Sequence, residues 1–235
     1  RHPCQLRIAL EELVAQRLSL LRINLDRQRE QATALTDDGK LVSVFRTRLP
    51  FVLTGAQDRV LAAILKDLQR DAPMHRLLQG DVGSGKTVVA AAAAIVAAAN
   101  GSQTAVMAPT ELLAEQHDAN FRAWLEPLGI SVACLTGSVL SSARTEQLRQ
   151  IAAGDVQVIV GTHALFQQEV RFQHLALVVV DEQHRFGVDQ RLELKLKGKD
   201  GTHVPHQLVM TATPIPRTLA MTAYAALDCS IIDEL

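Results

Sequence analysis

Gly80-Asp81-Val82-Gly83-Ser84-Gly85-Lys86-Thr87 follows the short apolar stretch Arg76–Gln79 and precedes Val88–Ala99, an almost unbroken run of Ala, Val and Ile. The octapeptide fits G-x-x-x-x-G-K-[ST]. Between a strand and a helix, its glycines let the backbone curl so that successive N–H groups converge on phosphate oxygens, and the helix N-terminus adds partial positive charge. Lys86 is then placed to neutralise the β- and γ-phosphates of ATP, and the Thr87 hydroxyl to ligate Mg2+. Gly80, Asp81, Val82, Gly83, Ser84, Gly85, Lys86 and Thr87 are therefore the expected phosphate cradle, with ATP and Mg2+ as cofactors.

The surrounding sequence has the rhythm that such a loop requires. From Phe51 onward, short runs rich in β-branched residues alternate with helical stretches, which predicts an α/β fold: a mostly parallel sheet flanked by helices. The expected strands are Arg76–Gln79, Thr104–Met107, Ser131–Leu135, Val156–Val160, Leu175–Val180 and Gln207–Met210. Leu175–Val180 is apolar at every position, as a central strand covered on both faces must be. The small side chains of Val88–Ala99 suit a helix lying close against a sheet, and Asn100-Gly101 supplies its stop. Met107 and Met210 are expected in the core, and His163, His174, His203 and His206 are expected to be ordinary histidines.

Phosphoryl transfer to water also needs a carboxylate for the metal and a group that orients the attacking water. Val178-Val179-Val180-Asp181-Glu182 offers both. Asp181 ends an apolar strand and is expected at the carboxyl edge of the sheet, where open α/β sheets collect their ligands. Lys86, Asp181 and Glu182 are thus the expected catalytic set, with Thr87 and Asp181 as metal ligands.

Composition narrows the alternatives. The 235 residues are 48% hydrophobic with a net charge of −1 and one Trp and one Tyr, so there is no global basic field and any nucleic-acid contact must be local. Cys4, Cys134 and Cys229 are far apart and lack metal-ligand spacing, which argues against a disulfide framework or a zinc site and for a reducing, cytoplasmic setting. No apolar run reaches the length of a membrane span, and no membrane partner is expected. Arg1-His2-Pro3 has no initiator Met, and the chain is expected to be a piece of a longer protein. At the N-terminal end, Leu6, Leu10, Leu13, Val14, Leu18 and Leu21 recur at helical spacing and predict a long amphipathic helix. The polar stretch from Asp26 to Lys40 is less patterned, with room for more helix before a turn. A boundary near Leu49 separates this helical linker, residues 1–48, from the domain at 49–235.

Further motifs decide the class. Asp181-Glu182-Gln183-His184-Arg185-Phe186-Gly187 and Thr211-Ala212-Thr213-Pro214-Ile215-Pro216-Arg217 resemble, in order, the DExH motif and motif III of superfamily 2 helicases. Ala108-Pro109-Thr110-Glu111-Leu112-Leu113-Ala114-Glu115-Gln116-His117 resembles motif Ia, Leu135-Thr136-Gly137-Ser138 the T-G element, and Gly161-Thr162-His163-Ala164-Leu165 motif Ib. Leu49-Pro50-Phe51-Val52-Leu53-Thr54-Gly55-Ala56-Gln57 resembles the segment whose glutamine reads adenine.

Ser84 within the loop, Gln183 and the helix containing Ala9-Leu10-Glu11-Glu12-Leu13 bring the chain nearer the RecG family than the transcription-repair coupling factors, the alternative. The resemblance implies a RecA-like first motor lobe of a DNA helicase or translocase that remodels forks and Holliday junctions in recombination and repair. It implies adenine contact by Phe51, Leu53 and Gln57, and backbone contact with nucleic acid by Pro109, Thr110, Thr136, Gly137, Thr162 and His163. Coupling of ATP state to DNA would fall to His184, Arg185, Thr211, Thr213 and Arg217. The implied partners are branched or duplex DNA, bound weakly by this lobe alone, with a second RecA-like lobe carrying an arginine finger and a preceding wedge domain. Without that second lobe the chain is expected to turn ATP over slowly or undetectably, as a scaffold that binds nucleotide without turnover would also do.

Overall fold

A computed structural model describes residues 5, 7–8, 10–15, 17–18, 30–36, 38–137, 141–182, 197–198, 203–213 and 227–234. Its centre is one sheet of seven strands, β1 His75–Gly80, β2 Gln103–Met107, β3 Val132–Leu135, β4 Val158–Gly161, β5 Leu175–Asp181, β6 His206–Thr211 and β7 Asp228–Ile232. They lie in the order β3-β4-β2-β5-β6-β1-β7, and every pairing is parallel. The six strands expected from sequence are present with ends displaced by one or two residues. β7 was not foreseen; it adds to the β1 edge.

β5 is buried at every position, in the middle of the seven. Its alternate residues feed two cores. Leu177 and Val179 join Val106, Val158, Leu208 and Leu78 on one face, and Val178 and Val180 join Met107, Ile159 and Leu135 on the other. This double coverage is the physical reason the strand carries no polar residue before Asp181.

The helices are α1 Lys40–Arg48, α2 Gly55–Leu68, α3 Lys86–Ala99, α4 Glu111–Leu125 and α5 Ser141–Ala153. In α3, Val88 to Ala97 are all buried, so the alanines let the helix axis approach the sheet while other helices close over it. Asn100 caps its end, and Gly101 follows with φ of 67°. Met107 and Met210 are in the core.

Residues 31–48 pack onto the same body. Leu35, Val42 and Phe45 are buried in its larger core, and Phe45 meets Trp124 edge-on at 6.4 Å between ring centroids. Asn100 Nδ2 donates to the Thr36 carbonyl at 2.8 Å, Leu35 N–H donates to the Leu68 carbonyl, and Gln31 bridges His203 in parallel. Residues 30–36 carry no helix and only the isolated bridge at Gln31, and α1 begins only at Lys40. The compositional break at Leu49 is therefore not a break in packing. Leu10 to Ala15 are helical, as the spacing predicts, and Leu10, Leu13, Val14 and Leu18 of the apolar stripe are exposed; Leu6 and Leu21 lie outside the described residues.

His206 ties the N-terminal segment to the sheet. Met74 N–H donates to its Nδ1 at 3.0 Å, and its own Nε2–H donates to the Thr33 carbonyl at 3.0 Å, which defines a neutral ring. Burial pushes its pKa below the ordinary 6.5, outweighing the Thr33 carbonyl and the Asp67 charge, which act upward. Below the ordinary value the unfolded chain binds more protons at this site than the folded one, so the stability is complete above about 6.5 and is lost as pH falls through the window beneath it. Thermal melts should therefore show a falling midpoint from neutral to mildly acidic pH, with a shallower slope in His206→Gln. An unchanged slope in that variant would assign the effect to other groups.

Candidate nucleotide site

β1 ends at Gly80, the chain turns through residues 81–85, and α3 opens at Lys86. Gly83 and Gly85 have φ of 85° and 82°, which a residue with a Cβ rarely adopts. Space is tight as well: a Cβ on Gly85 would lie 2.2 Å from Gln57 Nε2, and one on Gly80 2.5 Å from Ser84 Oγ, so either would displace that side chain. The loop is thus a backbone cradle braced from behind by Gln57.

That brace is specific. Thr54 and Gln57 form a capping box at the start of α2, with Thr54 N–H donating to Gln57 Oε1 at 2.9 Å and Gln57 N–H donating to Thr54 Oγ1 at 3.3 Å. The other end of the amide, Nε2, donates to the Ser84 carbonyl at 2.8 Å. Both ends of the Gln57 side chain are therefore committed within the chain, so an adenine contact would have to exchange or share one of these bonds. Phe51 is exposed nearby in sequence, and Leu53 is buried.

Lys86 Nζ donates to the carbonyls of Gly80 and Asp81 at 2.7 and 2.8 Å. Burial lowers its pKa, opposed by the charges of Asp181, Glu182 and Asp81, which hold the ammonium. Lys86, Thr87, Asp181 and Glu182 line one open cavity of about 420 Å3 together with Val82, Gly83 and His117. A Mg2+–triphosphate fits what these residues offer. Two hard oxygen donors, the Thr87 hydroxyl and the Asp181 carboxylate, share the cavity with one ammonium, and Ser84 Oγ is buried in the loop without a hydrogen-bond partner. Among the described residues no three His, Cys, Asp or Glu side chains gather as a metal cage, so a cation here would complete its shell with phosphate and water.

Glu182 stands in the left-handed region, with φ of 50°. For a residue with a Cβ this costs on the order of 1–3 kcal/mol and persists only where the surroundings enforce it. Here Glu182 N–H donates to the Met210 carbonyl, Ala212 N–H donates to Oε1 at 3.0 Å, and Thr211 Oγ1 donates to Oε2 at 3.4 Å. Thr211 in turn lies 2.8 Å from the Thr213 hydroxyl. The structure thus joins Glu182 to Thr211 and Thr213; His184, Arg185 and Arg217 lie outside the described residues.

The candidate residues divide along the carboxyl edge of the sheet. The described phosphate, metal and coupling candidates fall at the ends of β1, β5 and β6, which are neighbours, with the adenine candidates Phe51, Leu53 and Gln57 ahead of β1, and those for nucleic acid follow β2, β3 and β4, also neighbours. Thr110 accepts from Leu113 N–H and caps α4, Pro109 is half-buried, and His163 is exposed. Gly137 N–H donates to Glu111 Oε1 at 3.0 Å, so two of the loops are tied together. Thr136 and Thr162 are buried.

His117 enters the sequence reading only as the end of the motif Ia segment, with no role of its own. His117 Nε2 lies 2.8 Å from Asp181 Oδ2, with both side chains largely buried. The available signal was its place on the face of α4 shared by Ala114, Phe121 and Leu125, where a polar ring requires a buried partner.

The family model for "DEAD/DEAH box helicase" matches residues 54–222. The chain is 59% identical over its whole length to the ATP-dependent DNA helicase RecG of Escherichia coli O157:H7, and 57% to that of Haemophilus influenzae. It spans 34% of each of those relatives. A solved structure of RecG bound to a three-way DNA junction superposes with a TM-score of 0.84 at 41% identity, covering 97% of this chain and 30% of that one. The helicase MrfA, at 15% identity and a TM-score of 0.62, is similar in fold alone, over 83% of this chain and 32% of its own.

Proposed function

Because this chain belongs to the DEAD/DEAH box helicase family, we propose that it is the ATP-binding first lobe of a DNA translocase that remodels branched DNA. The observation that carries this reading is the convergence of Lys86, Thr87, Asp181 and Glu182 on one cavity at the end of a glycine-shaped loop. Likeness to relatives called ATP-dependent DNA helicase RecG, and to a RecG structure bound to a three-way DNA junction, favours branched DNA as the substrate. Residues 1–48 would lead in from a preceding wedge domain, their exposed stripe at Leu10, Leu13, Val14 and Leu18 suited to contacts with the rest of a longer protein.

In this reading the loop N–H groups bind the phosphates, Lys86 leaves the Gly80 and Asp81 carbonyls to meet them, and Thr87 and Asp181 hold Mg2+. The cation, when bound, neutralises phosphate charge. Glu182 orients the attacking water, and its bonds to Ala212 and Thr211 make its position depend on the motif III strand end. Gln57 keeps the cradle in shape. The loops after β2, β3 and β4 track the DNA backbone, so that one sheet edge carries fuel and track side by side.

Titration with Mg-ATP tests the nucleotide half of the proposal; binding at no concentration would defeat it. The DNA half predicts weak, salt-dependent binding, because contact rests on loop groups in a chain of net charge −1. Its affinity for a fluorescent junction should fall with salt at a log–log slope of roughly −0.9 for each phosphate whose charge a Lys or Arg of the chain neutralises. A salt-insensitive affinity would contradict backbone tracking.

A further inference from the structure

Asp181 is an acceptor only, and one of its two oxygens is already taken. His117, reaching across from the middle of α4, places Nε2 2.8 Å from Asp181 Oδ2, so the proton in that bond is the ring's. The His117 side chain is 8% exposed and that of Asp181 12%, which shields the bond from competing water. Nδ1 of the same ring is buried with no hydrogen-bond partner, so the described polar anchor of the imidazole is Asp181 itself. An aspartate carboxyl has a broad, roughly two-fold torsion about its last bond, and a tie to one oxygen selects one setting of the other.

We propose that His117 is a positioning residue for the metal carboxylate: its Nε2–H holds Asp181 Oδ2 and thereby commits the remaining oxygen to Mg2+. This rests on the nucleotide reading above and deepens it. Groups that hydrogen-bond to metal ligands typically govern metal affinity by about 10- to 100-fold, because a ligand free to rotate must be ordered when the cation arrives. The helix that presents His117 is the one capped by Thr110, so the ring also joins the proposed track loop to the metal carboxylate through a single rigid element.

The test compares two amides of different reach. His117→Gln can present an N–H near the position of Nε2, whereas His117→Asn is one methylene shorter and leaves Asp181 without that donor. Affinity for a fluorescent ATP analogue is measured in EDTA and across a Mn2+ titration, with Mn2+ also followed by its electron paramagnetic resonance signal.

The expected result for Asn is metal-free nucleotide affinity close to the native chain with Mn2+ affinity weakened about 10- to 100-fold. Gln is expected to recover most of that loss. Equal Mn2+ affinity in native, Gln and Asn chains would overturn the positioning role. Loss of metal-free binding in Asn, or a Gln variant as impaired as Asn, would overturn it too, since a merely structural histidine would behave that way. Lys86→Ala run in parallel separates the levels: nucleotide binding that survives it defeats the nucleotide reading, and with it this inference.

Discussion

Lys86→Ala is expected to abolish Mg-ATP binding at concentrations that saturate the native chain. The Lys86 ammonium is the one Lys or Arg charge among the described residues lining the cavity, held there by Asp181, Glu182 and Asp81 against the cost of burial. A triphosphate entering without it would face those carboxylates with no side-chain counter-charge beyond the cation it brings. Removing one partner of a desolvated, hydrogen-bonded charge pair costs about 2–5 kcal/mol, which is roughly 30-fold to several thousand-fold in affinity. The fold should survive. In the nucleotide-free chain Lys86 satisfies only the Gly80 and Asp81 carbonyls at the rim, where water can replace it. Calorimetric titration alongside a thermal melt checks both halves, and an affinity within about threefold of native would remove Lys86, and the cradle, from the mechanism.

What could be seen in the sequence is what local chemistry forces. The phosphate loop is legible because a φ of 82°, with Gln57 packed against the position, strongly favours glycine at Gly85. β5 is legible because coverage on two faces excludes polar residues until Asp181. β7 is not, because Asp228, Cys229 and Ile231 are exposed at the sheet edge and only Ser230 and Ile232 turn inward, too short a pattern to stand out. The docking of residues 31–36 buries Ala32 and Leu35 and adds backbone bonds to Asp71, Leu68 and Asn100, and two buried side chains with main-chain bonds leave little trace in side-chain periodicity. The pair His117 and Asp181 is 64 residues apart, and nothing short of the fold brings a helix face to that strand end. Nor does the letter Glu at 182 announce a left-handed backbone; that follows from its bonds to Met210, Ala212 and Thr211.

Turnover by this chain alone is expected to lie about 10³- to 10⁵-fold below that of a longer protein carrying the second lobe. In the proposed reading the cavity lined by Lys86, Thr87 and Asp181 supplies what would hold a nucleotide. Its open side presents no described arginine to meet the charge that spreads over the transferred phosphoryl group, and an arginine supplied from a partner surface is commonly worth that factor. Glu182 does not offset that loss: Ala212 N–H and the Thr211 hydroxyl fix its carboxylate and leave it lone pairs to accept from a water, but it brings no positive charge to the phosphoryl group. Binding and turnover should therefore separate: Mg-ATP binds, Lys86→Ala does not bind it, and hydrolysis rises only when the second lobe is restored by fusion or in trans. Single-turnover hydrolysis with and without junction DNA measures this, with Lys86→Ala as the background. DNA-stimulated turnover by the native chain within tenfold of the longer protein would show that one lobe suffices, and the division of labour argued from this cavity would be wrong.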